Sequence, residues 1–230
     1  MLKVDKYTTF DEFCVSLRVL GFLPGSFPWS DGGIFSVRDF VTDRVTWHND
    51  DPETDPWLWR RRVLGDCSDI AYSKLFQNKT GYITREWYPL FLAARRRGRS
   101  LNDEYRDGKI SQLTKRIYDL VAEYPALAVH DIKSMGNFSS EKKSKFDRAL
   151  VELQMKMYIT TCGEAQKLSK LGEPYGWAGA VFCTADGFFS GAWEQSLEIA
   201  PELAAAKIAE RIREIVPSAT DKECAAIIGG

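Results

Sequence analysis

The sequence is poor in the residues that build metal centres and disulfide frameworks. Its five cysteines lie far apart, no two of them form a CxxC pair and their number is odd, so neither a zinc site nor a disulfide framework is predicted. Only two histidines are present. His48 lies among acidic residues in WHNDDPETD, but no second histidine is near it, so we interpret it as a surface-loop residue. No metal and no cofactor are therefore predicted.

Long apolar runs, an excess of one charge and the common nucleotide-binding motifs are missing as well. No apolar run approaches the eighteen residues of a membrane-spanning helix and no signal peptide is recognised, so we expect a cytoplasmic protein without a membrane partner. The formal net charge is −1, so binding of nucleic acid would depend on a local basic patch. The absence of a glycine-rich phosphate loop, a serine nucleophile elbow and a kinase signature argues against those enzyme classes.

Aromatic side chains are abundant. They make up 13% of the chain and include seven tryptophans, which indicates a ring-lined core or cleft. The stretch DPETDPWLWRRR, residues 51–62, concentrates acids, tryptophans and arginines. We interpret it as the start of a helix, with Asp55 as N-cap and Pro56 in the first turn. Trp57 and Trp59 are then about 200° apart around the helix, so one should lie in the core and the other along a groove.

Helical spacing of apolar residues predicts several other elements. A first helix covers residues 10–20 and ends at Gly21. The stretch GYITREWYPLFLAARRRGRS predicts a strand or turn, followed by a short helix broken near Pro89. Near the end of the sequence a helix is predicted from Pro201 to Val216, and a shorter one follows Thr220.

From Asp107 onward the order of elements is typical of a winged helix. A helix that Pro125 ends is followed by a short strand in LAVH and by one helical turn capped by Asp131. The strongest helix of the chain then runs from Ser140 to Met157, and MYITT and AQKLSKL are interpreted as two strands around a glycine turn. These are the parts of a helix-turn-helix with a β-hairpin wing, whose second main helix usually enters the DNA major groove. The inner stripe of the long helix is predicted to be Phe146, Ala149, Leu150, Leu153 and Met157.

We therefore predict an α+β, mainly α, fold of winged-helix units packed into one compact chain. The predicted domains are an N-terminal helical or degenerate winged-helix region at 1–104 and a winged-helix domain at 105–180. A C-terminal aromatic segment with helices follows at 181–230.

Two basic clusters are candidate DNA contacts. Cations on an outer helix face are often only solvated charges, and cations at a helix end also complement the helix dipole. On a recognition helix, however, the same residues would neutralise phosphates, and four arginines in ARRRGR exceed what a helix end needs. The candidates are Lys142, Lys143, Lys145, Arg148 and Lys156 on the long helix, and Arg95, Arg96, Arg97 and Arg99 in ARRRGR.

Glu86 is the candidate catalytic residue. Hydrolysis that passes through a cationic transition state needs a carboxylate or amide that activates water and stabilises the developing positive charge. Trp87 and Tyr88 beside Glu86 could raise its pKa and stack a flipped base. The alternative is a surface carboxylate paired with an arginine such as Arg85 or Arg60. The candidate pocket residues are Trp57, Trp59, Arg60, Trp87 and Tyr88.

The sequence resembles the AlkZ-like winged-helix family, particularly its shorter AlkZ-related members. The resemblance covers roughly residues 50–180 and is carried by DPETDPWLWRRR, AYSKLFQNKTGYITREWYPLFLAARR, KRIYDLVAEYPALAVHDIK and FDRALVELQMKMYITTCGEAQKLSKLGEPYGW, with LRVLGFLP before them. The larger relatives are monofunctional DNA glycosylases that excise bulky alkylated bases and unhook crosslinks. The resemblance implies tandem winged-helix units and a Q-x-Q or Q-x-D motif that positions the attacking water.

This chain departs from that motif. None of its glutamines has Gln or Asp two positions further on. In the relatives the motif follows a helix that ends in a sequence like LGLLQ, and the counterpart here is LGFLPGS. Pro24 and Ser26 then stand where the polar pair belongs, and proline has no polar group in its side chain.

Three functional hypotheses follow. The first is a winged-helix protein that binds DNA, including damaged DNA, without base excision. The second is a diverged DNA glycosylase for alkylated bases, in which Glu86 or a residue of the N-terminal loop replaces the lost pair. The third is a small-molecule or protein-binding domain on the same fold, which the near-neutral net charge supports.

Overall fold

The computed structural model describes residues 2, 4–25, 34–138 and 143–230. Helices and antiparallel strands both occur along these ranges, so the fold is α+β, as the sequence predicts. The chain divides into unit 1, residues 1–98 with 191–230, and unit 2, residues 99–190. No helix in the described ranges is both long and apolar enough to span a membrane.

Helix α1 (Phe10–Leu20) opens unit 1 and lies where the sequence predicts it. It begins at a capping box, in which Thr9 and Glu12 each accept a hydrogen bond from the backbone N–H of the other. It ends at Gly21, and a short 3₁₀ helix (Val37–Phe40) follows further along. The predicted apolar stripe of α1 is buried: Phe10, Phe13, Leu17 and Leu20.

Helix α2 (Pro56–Asp66) also begins as predicted. The Asp55 carboxylate accepts a hydrogen bond from the Trp57 backbone N–H at 2.8 Å, and proline occupies the first turn. Trp59 is fully buried and its ring stacks on Phe13 with 5.2 Å between centroids. Trp57, on the other side of the helix, is half-buried. The prediction of one core tryptophan and one groove tryptophan is confirmed.

Three antiparallel strands of unit 1 pair in the order β1-β3-β2. They are β1 (Phe22–Pro24), β2 (Ile70–Phe76) and β3 (Lys79–Thr84). Gln77 and Asn78 join β2 to β3 with φ values of 48° and 64°, the left-handed conformation that a two-residue hairpin turn requires. The strand expected in GYIT is thus present as part of β3, whereas β2 was not among the predicted elements.

Helix α3 (Tyr88–Arg96) is continuous, so the predicted break near Pro89 is wrong. The proline lies in the first turn, where the backbone N–H has no acceptor within the helix, so its absence removes no hydrogen bond. Phe91 packs on Phe22 with ring centroids 5.0 Å apart. The helix therefore fixes one side of the unit 1 core.

In unit 2, the described residues form helices that precede a long β-hairpin. The helices are α4 (Leu101–Arg106), α5 (Gln112–Ala122), α6 (Val129–Met135) and α7 (Lys143–Met155), with strand β4 (Leu127–Ala128) between α5 and α6. The hairpin consists of β5 (Ile159–Leu168) and β6 (Pro174–Thr184), and helix α8 (Ala185–Phe188) follows it. The strands are antiparallel in the order β5-β6-β4, with Leu127 opposite Phe182.

The hairpin differs from the prediction. MYITT and AQKLSKL are not two strands around Gly163, because β5 runs through this glycine and its partner strand is PYGWAGAVFCT. The pairing of β5 with β6 shifts register between Thr161 and Gly163, so the glycine lies at a bulge and not at a turn. A glycine inside a strand was mistaken for a chain reversal.

The core of unit 2 lies between α5, α7 and the strands. Ile117, Phe146 and Leu153 are all fully buried there. The predicted inner stripe of the long helix is confirmed for Phe146, Ala149, Leu150 and Leu153, which are all buried. The helix ends at Met155 and not at Met157 as predicted, so Met157 is buried but follows the helix with a φ of 58°. Helix α6 begins earlier than predicted: Ala128 is its N-cap, and Asp131 lies in the first turn.

Three helices complete unit 1: α9 (Ala192–Leu197), α10 (Pro201–Ile215) and α11 (Asp221–Gly229). The predicted helix after Pro201 and the one after Thr220 are confirmed, the latter with a capping box between Thr220 and Glu223. Ile208 and Ile212 of α10 are fully buried. Both α10 and α11 pack against α3.

Candidate nucleic-acid interface

Helix α7 presents positive charge to solvent. Phe146, Ala149, Leu150 and Leu153 face the core, whereas Lys143, Lys145 and Arg148 lie on the other side of the helix and are all exposed. All three lie in the first half of the described helix, the half from which a recognition helix contacts base edges. Lys142 lies outside the described residues.

Lys156 is engaged differently from these three cations. Its ammonium group is 2.7 Å from the Glu104 carboxylate, and the Glu104 side chain is only 11% exposed. A half-buried ion pair of this kind holds α4 against the end of α7. Lys156 therefore belongs to the packing of unit 2, and its charge is already balanced.

The four arginines of ARRRGR do not form one exposed cluster. Arg95 donates to the carbonyl oxygens of residues 227 and 228 at 2.9 and 2.7 Å, which satisfies the C-terminal end of α11. Arg96 is 5% exposed and lies over the Trp193 ring at 3.6 Å. Arg97 is exposed and forms an ion pair with Glu202. Arg99 belongs to unit 2, where it forms an ion pair with Asp107.

A small aromatic pocket lies beside the end of β1. It has a volume of about 20 Å³ and is lined by Gly25, Val37, Trp47, Pro56, Trp57, Arg60, Tyr72, Thr80 and Tyr82. The Arg60 guanidinium carbon lies 4.0 Å from the centre of the Trp57 ring, and the rings of Tyr72 and Tyr82 are 5.1 Å apart.

Pro24, the predicted counterpart of the first residue of the family's catalytic pair, directly precedes Gly25 of this pocket. Pro24 ends β1, and the Gly25 N–H donates to the Thr80 carbonyl at 2.8 Å, which places the pocket wall immediately after Pro24. Ser26 lies outside the described residues. Burial raises the pKa of Tyr82 well above its usual value, so its phenol stays protonated. No carboxylate is among the described residues that line the pocket.

Asp55 is the N-cap residue directly before the α2 residues that line this pocket. It is fully buried, and its Oδ1 accepts from the backbone N–H groups of Trp57 and His48 at 2.8 and 3.1 Å. Its Oδ2 has no hydrogen-bond partner among the described residues. The geometry assigns Asp55 to positioning: it fixes the first turn of α2, from which Trp57 and Arg60 reach the pocket.

Glu86 lies in a separate cleft, the Glu86 cleft, with a volume of about 290 Å³. Its lining consists of Glu86, Trp87, Leu90, Lys207, Glu210, Arg211 and Glu214. Trp87 is 9% exposed, and the Arg211 guanidinium lies 4.8 Å from the centre of its ring. Tyr88 is fully buried. Tyr88 therefore faces the protein interior, whereas Trp87 lines the cleft, and the Glu86 carboxylate stands among charged side chains.

The structure brings together only part of the predicted pocket set. Trp57 and Arg60 share the aromatic pocket, Trp87 lines the Glu86 cleft, and Trp59 and Tyr88 are core residues. The pocket residues that sequence reasoning missed are Trp47, Tyr72, Thr80 and Tyr82. Three of these lie on the β2–β3 hairpin, which alternation of YSKLF and TGYIT could have indicated.

Residues 7–229 match the model of the family described as AlkZ related, so the chain belongs to that family. Among curated proteins and solved structures, no match is found.

Proposed function

We propose that this protein binds duplex DNA through unit 2, used as a winged-helix domain, and does not excise a base. One observation carries the proposal: the helix that follows α6 presents Lys143, Lys145 and Arg148 outward while its inner stripe fills the core. Exposed cations on such a helix neutralise phosphates when it lies in the major groove. Membership of the AlkZ-related family supports DNA as the partner.

The strand pairing of unit 2 supports the winged-helix assignment. Helix α5, strand β4, helices α6 and α7 and the β5–β6 hairpin follow one another in the order of a helix-turn-helix with a wing. The short β4 pairs with β6 and not with its sequence neighbours, so the hairpin closes against the start of the helix-turn-helix. We accordingly propose that the DNA-binding domain predicted at 105–180 extends to the end of β6.

The aromatic pocket supports binding without excision. A cavity of about 20 Å³ holds roughly one water molecule, whereas an excised base has to enter a pocket of its own size. Pro24 adds no polar group at the position of the family's catalytic pair. Arg60 and Trp57 occupy the space with a stacked pair of side chains.

The binding test uses two exposed cations of α7. Fluorescence anisotropy with a labelled duplex at fixed low salt should show binding by the wild type, and Lys145→Ala combined with Arg148→Ala should weaken it at least about tenfold. The control is Arg97→Ala combined with Lys222→Ala, which removes two exposed positive charges from unit 1. Equal losses in the two double variants would show a non-specific charge effect and contradict the proposal.

A second candidate is a diverged glycosylase that uses Glu86, and the open cleft of about 290 Å³ around this carboxylate favours it. Incubating the protein with alkylated duplex DNA and measuring the release of free base distinguishes the two candidate functions. We expect no release. Release that Glu86→Gln abolishes, and that Glu210→Gln in the same cleft leaves intact, would establish the glycosylase instead.

A further inference from the structure

The far end of the β5–β6 hairpin carries the most solvent-exposed aromatic ring in the described part of the chain. Trp177 is 98% exposed, against 53% for Tyr175 on the same strand. A tryptophan left in water lacks the large stabilisation that its burial would give. Such complete exposure therefore requires a structural cause.

That cause is an irregularity in the strand pairing. Ala165 faces Gly179 and Lys167 faces Tyr175, so a single residue of β5, Gln166, lies opposite three residues of β6. The extra residues form a bulge, and bulges redirect side chains away from the sheet. Trp177 is the middle residue of the three.

The bulge is held in place by its own contacts. Gly176 adopts a φ of +73°, which glycine tolerates without strain, and the Gln166 side-chain amide donates to the Gly176 carbonyl at 2.7 Å. At the turn, the Gly172 N–H donates to the Ser169 carbonyl at 2.9 Å. The hairpin thus presents the indole from a defined backbone conformation.

The surroundings of the ring favour a flat partner. Its chain neighbours on either side are Gly176 and Ala178, followed by Gly179, so the residues next to it in the chain have small side chains. A protein-binding tryptophan is normally ringed by other side chains that exclude water, whereas the two residues that flank Trp177 in the chain have small side chains. Lys167 and Lys170 lie exposed on the same hairpin and can approach phosphates.

We propose that Trp177 stacks on an unpaired nucleobase of the DNA that unit 2 binds, so that the protein prefers duplexes containing an unstacked base. This inference rests on the proposed function, because the DNA has to be held by unit 2 for the hairpin to reach it. Stacking of one base on an aromatic side chain changes affinity by roughly 5- to 150-fold. The expected preference for an unpaired base lies in that range.

The test compares two probes, a fully paired duplex and the same duplex with one unpaired adenine, by anisotropy at constant salt. Wild type should bind the second at least about fivefold more tightly. Trp177→Ala should bind both equally, with its affinity for the paired duplex unchanged, and Trp177→Phe should keep part of the preference. Leu171→Ala removes another exposed apolar side chain, 88% exposed at the turn, and should keep all of it.

The outcomes separate this inference from the proposed function. If wild type binds both probes equally, or if Trp177→Ala weakens both to the same degree, base stacking is overturned while DNA binding stands. If wild type binds neither probe, the proposed function fails and the inference with it. Binding to phosphatidylserine vesicles in place of either probe, lost in Trp177→Ala, would identify the hairpin as a membrane contact and overturn base stacking.

Discussion

Gly21 links α1 to β1, and two features of the position require glycine. Its φ of +87° lies in a region that L side chains rarely adopt. In addition, the Trp87 indole packs so closely that a Cβ at residue 21 would overlap it. Trp87 in turn lies against Arg211, so one glycine allows the wall of the Glu86 cleft to form.

Replacing this glycine should therefore be costly. We expect Gly21→Ala to lower the free energy of unfolding by about 2–4 kcal/mol, because strained backbone and steric overlap add. Gly65→Ala in α2 is the control, since nothing lies within 4 Å of the added Cβ, and it should be neutral or stabilising by about 0.5–1 kcal/mol. Urea unfolding measures both. Similar values for the two variants would contradict this account.

The arginines of ARRRGR show that a charged motif does not determine which of its side chains are exposed. In the sequence, Arg96 and Arg97 are neighbours of the same type, yet one is stacked on Trp193 and nearly inaccessible while the other is exposed beside Glu202. Their directions follow from the helix end, where Arg97 already has a φ of 50°. Sequence reasoning located the positive charge of ARRRGR but had no means of assigning each guanidinium to the core or to solvent.

At the scale of elements, helices with a chemical start signal were predictable. Asp55 with Pro56, and Thr220 before α11, mark helix starts that the structure confirms, because capping satisfies backbone N–H groups locally. Strands depend on distant partners. The sequence did not predict β2, and it predicted that β5 would end at Gly163. Both errors arise because a strand is defined by its pairing with another segment of the chain, which its own residues do not specify.

The cap of α2 gives a prediction at this scale. Asp55→Ala should lower the free energy of unfolding by about 2 kcal/mol or more, since the backbone N–H groups of Trp57 and His48 lose their acceptor. Asp55→Asn retains an oxygen at the cap and should lose clearly less. Both are measured by urea unfolding. An asparagine variant as unstable as the alanine variant would show that the carboxylate charge, and not the cap, matters.

At the scale of the whole molecule, the chain leaves unit 1 after Gly98 and returns to it at Gly191. The return is fixed by α10 and α11, which pack on α3. Apolar spacing predicted these helices but not their docking partner, because the amphipathic face of a helix does not specify what covers it. The full lining of the aromatic pocket was equally beyond prediction, since it combines Gly25 and Trp47 with residues of α2 and the β2–β3 hairpin.

The same scale shows why a net charge near zero is compatible with the proposed DNA binding. The net charge of −1 is the sum over both units, whereas the exposed cations of α7 act locally, within about a Debye length of 10 Å at 0.1 M salt. Binding should accordingly weaken steeply as salt rises.

The salt dependence of duplex binding tests the central claim most directly. A plot of log affinity against log salt should fall linearly for the wild type, and Lys145→Ala combined with Arg148→Ala should make the slope shallower by about 2, one phosphate contact for each residue. The double variant of Arg97 and Lys222 should keep the wild-type slope. No salt-sensitive binding at micromolar protein, or an unchanged slope in the α7 double variant, would contradict DNA binding through this helix.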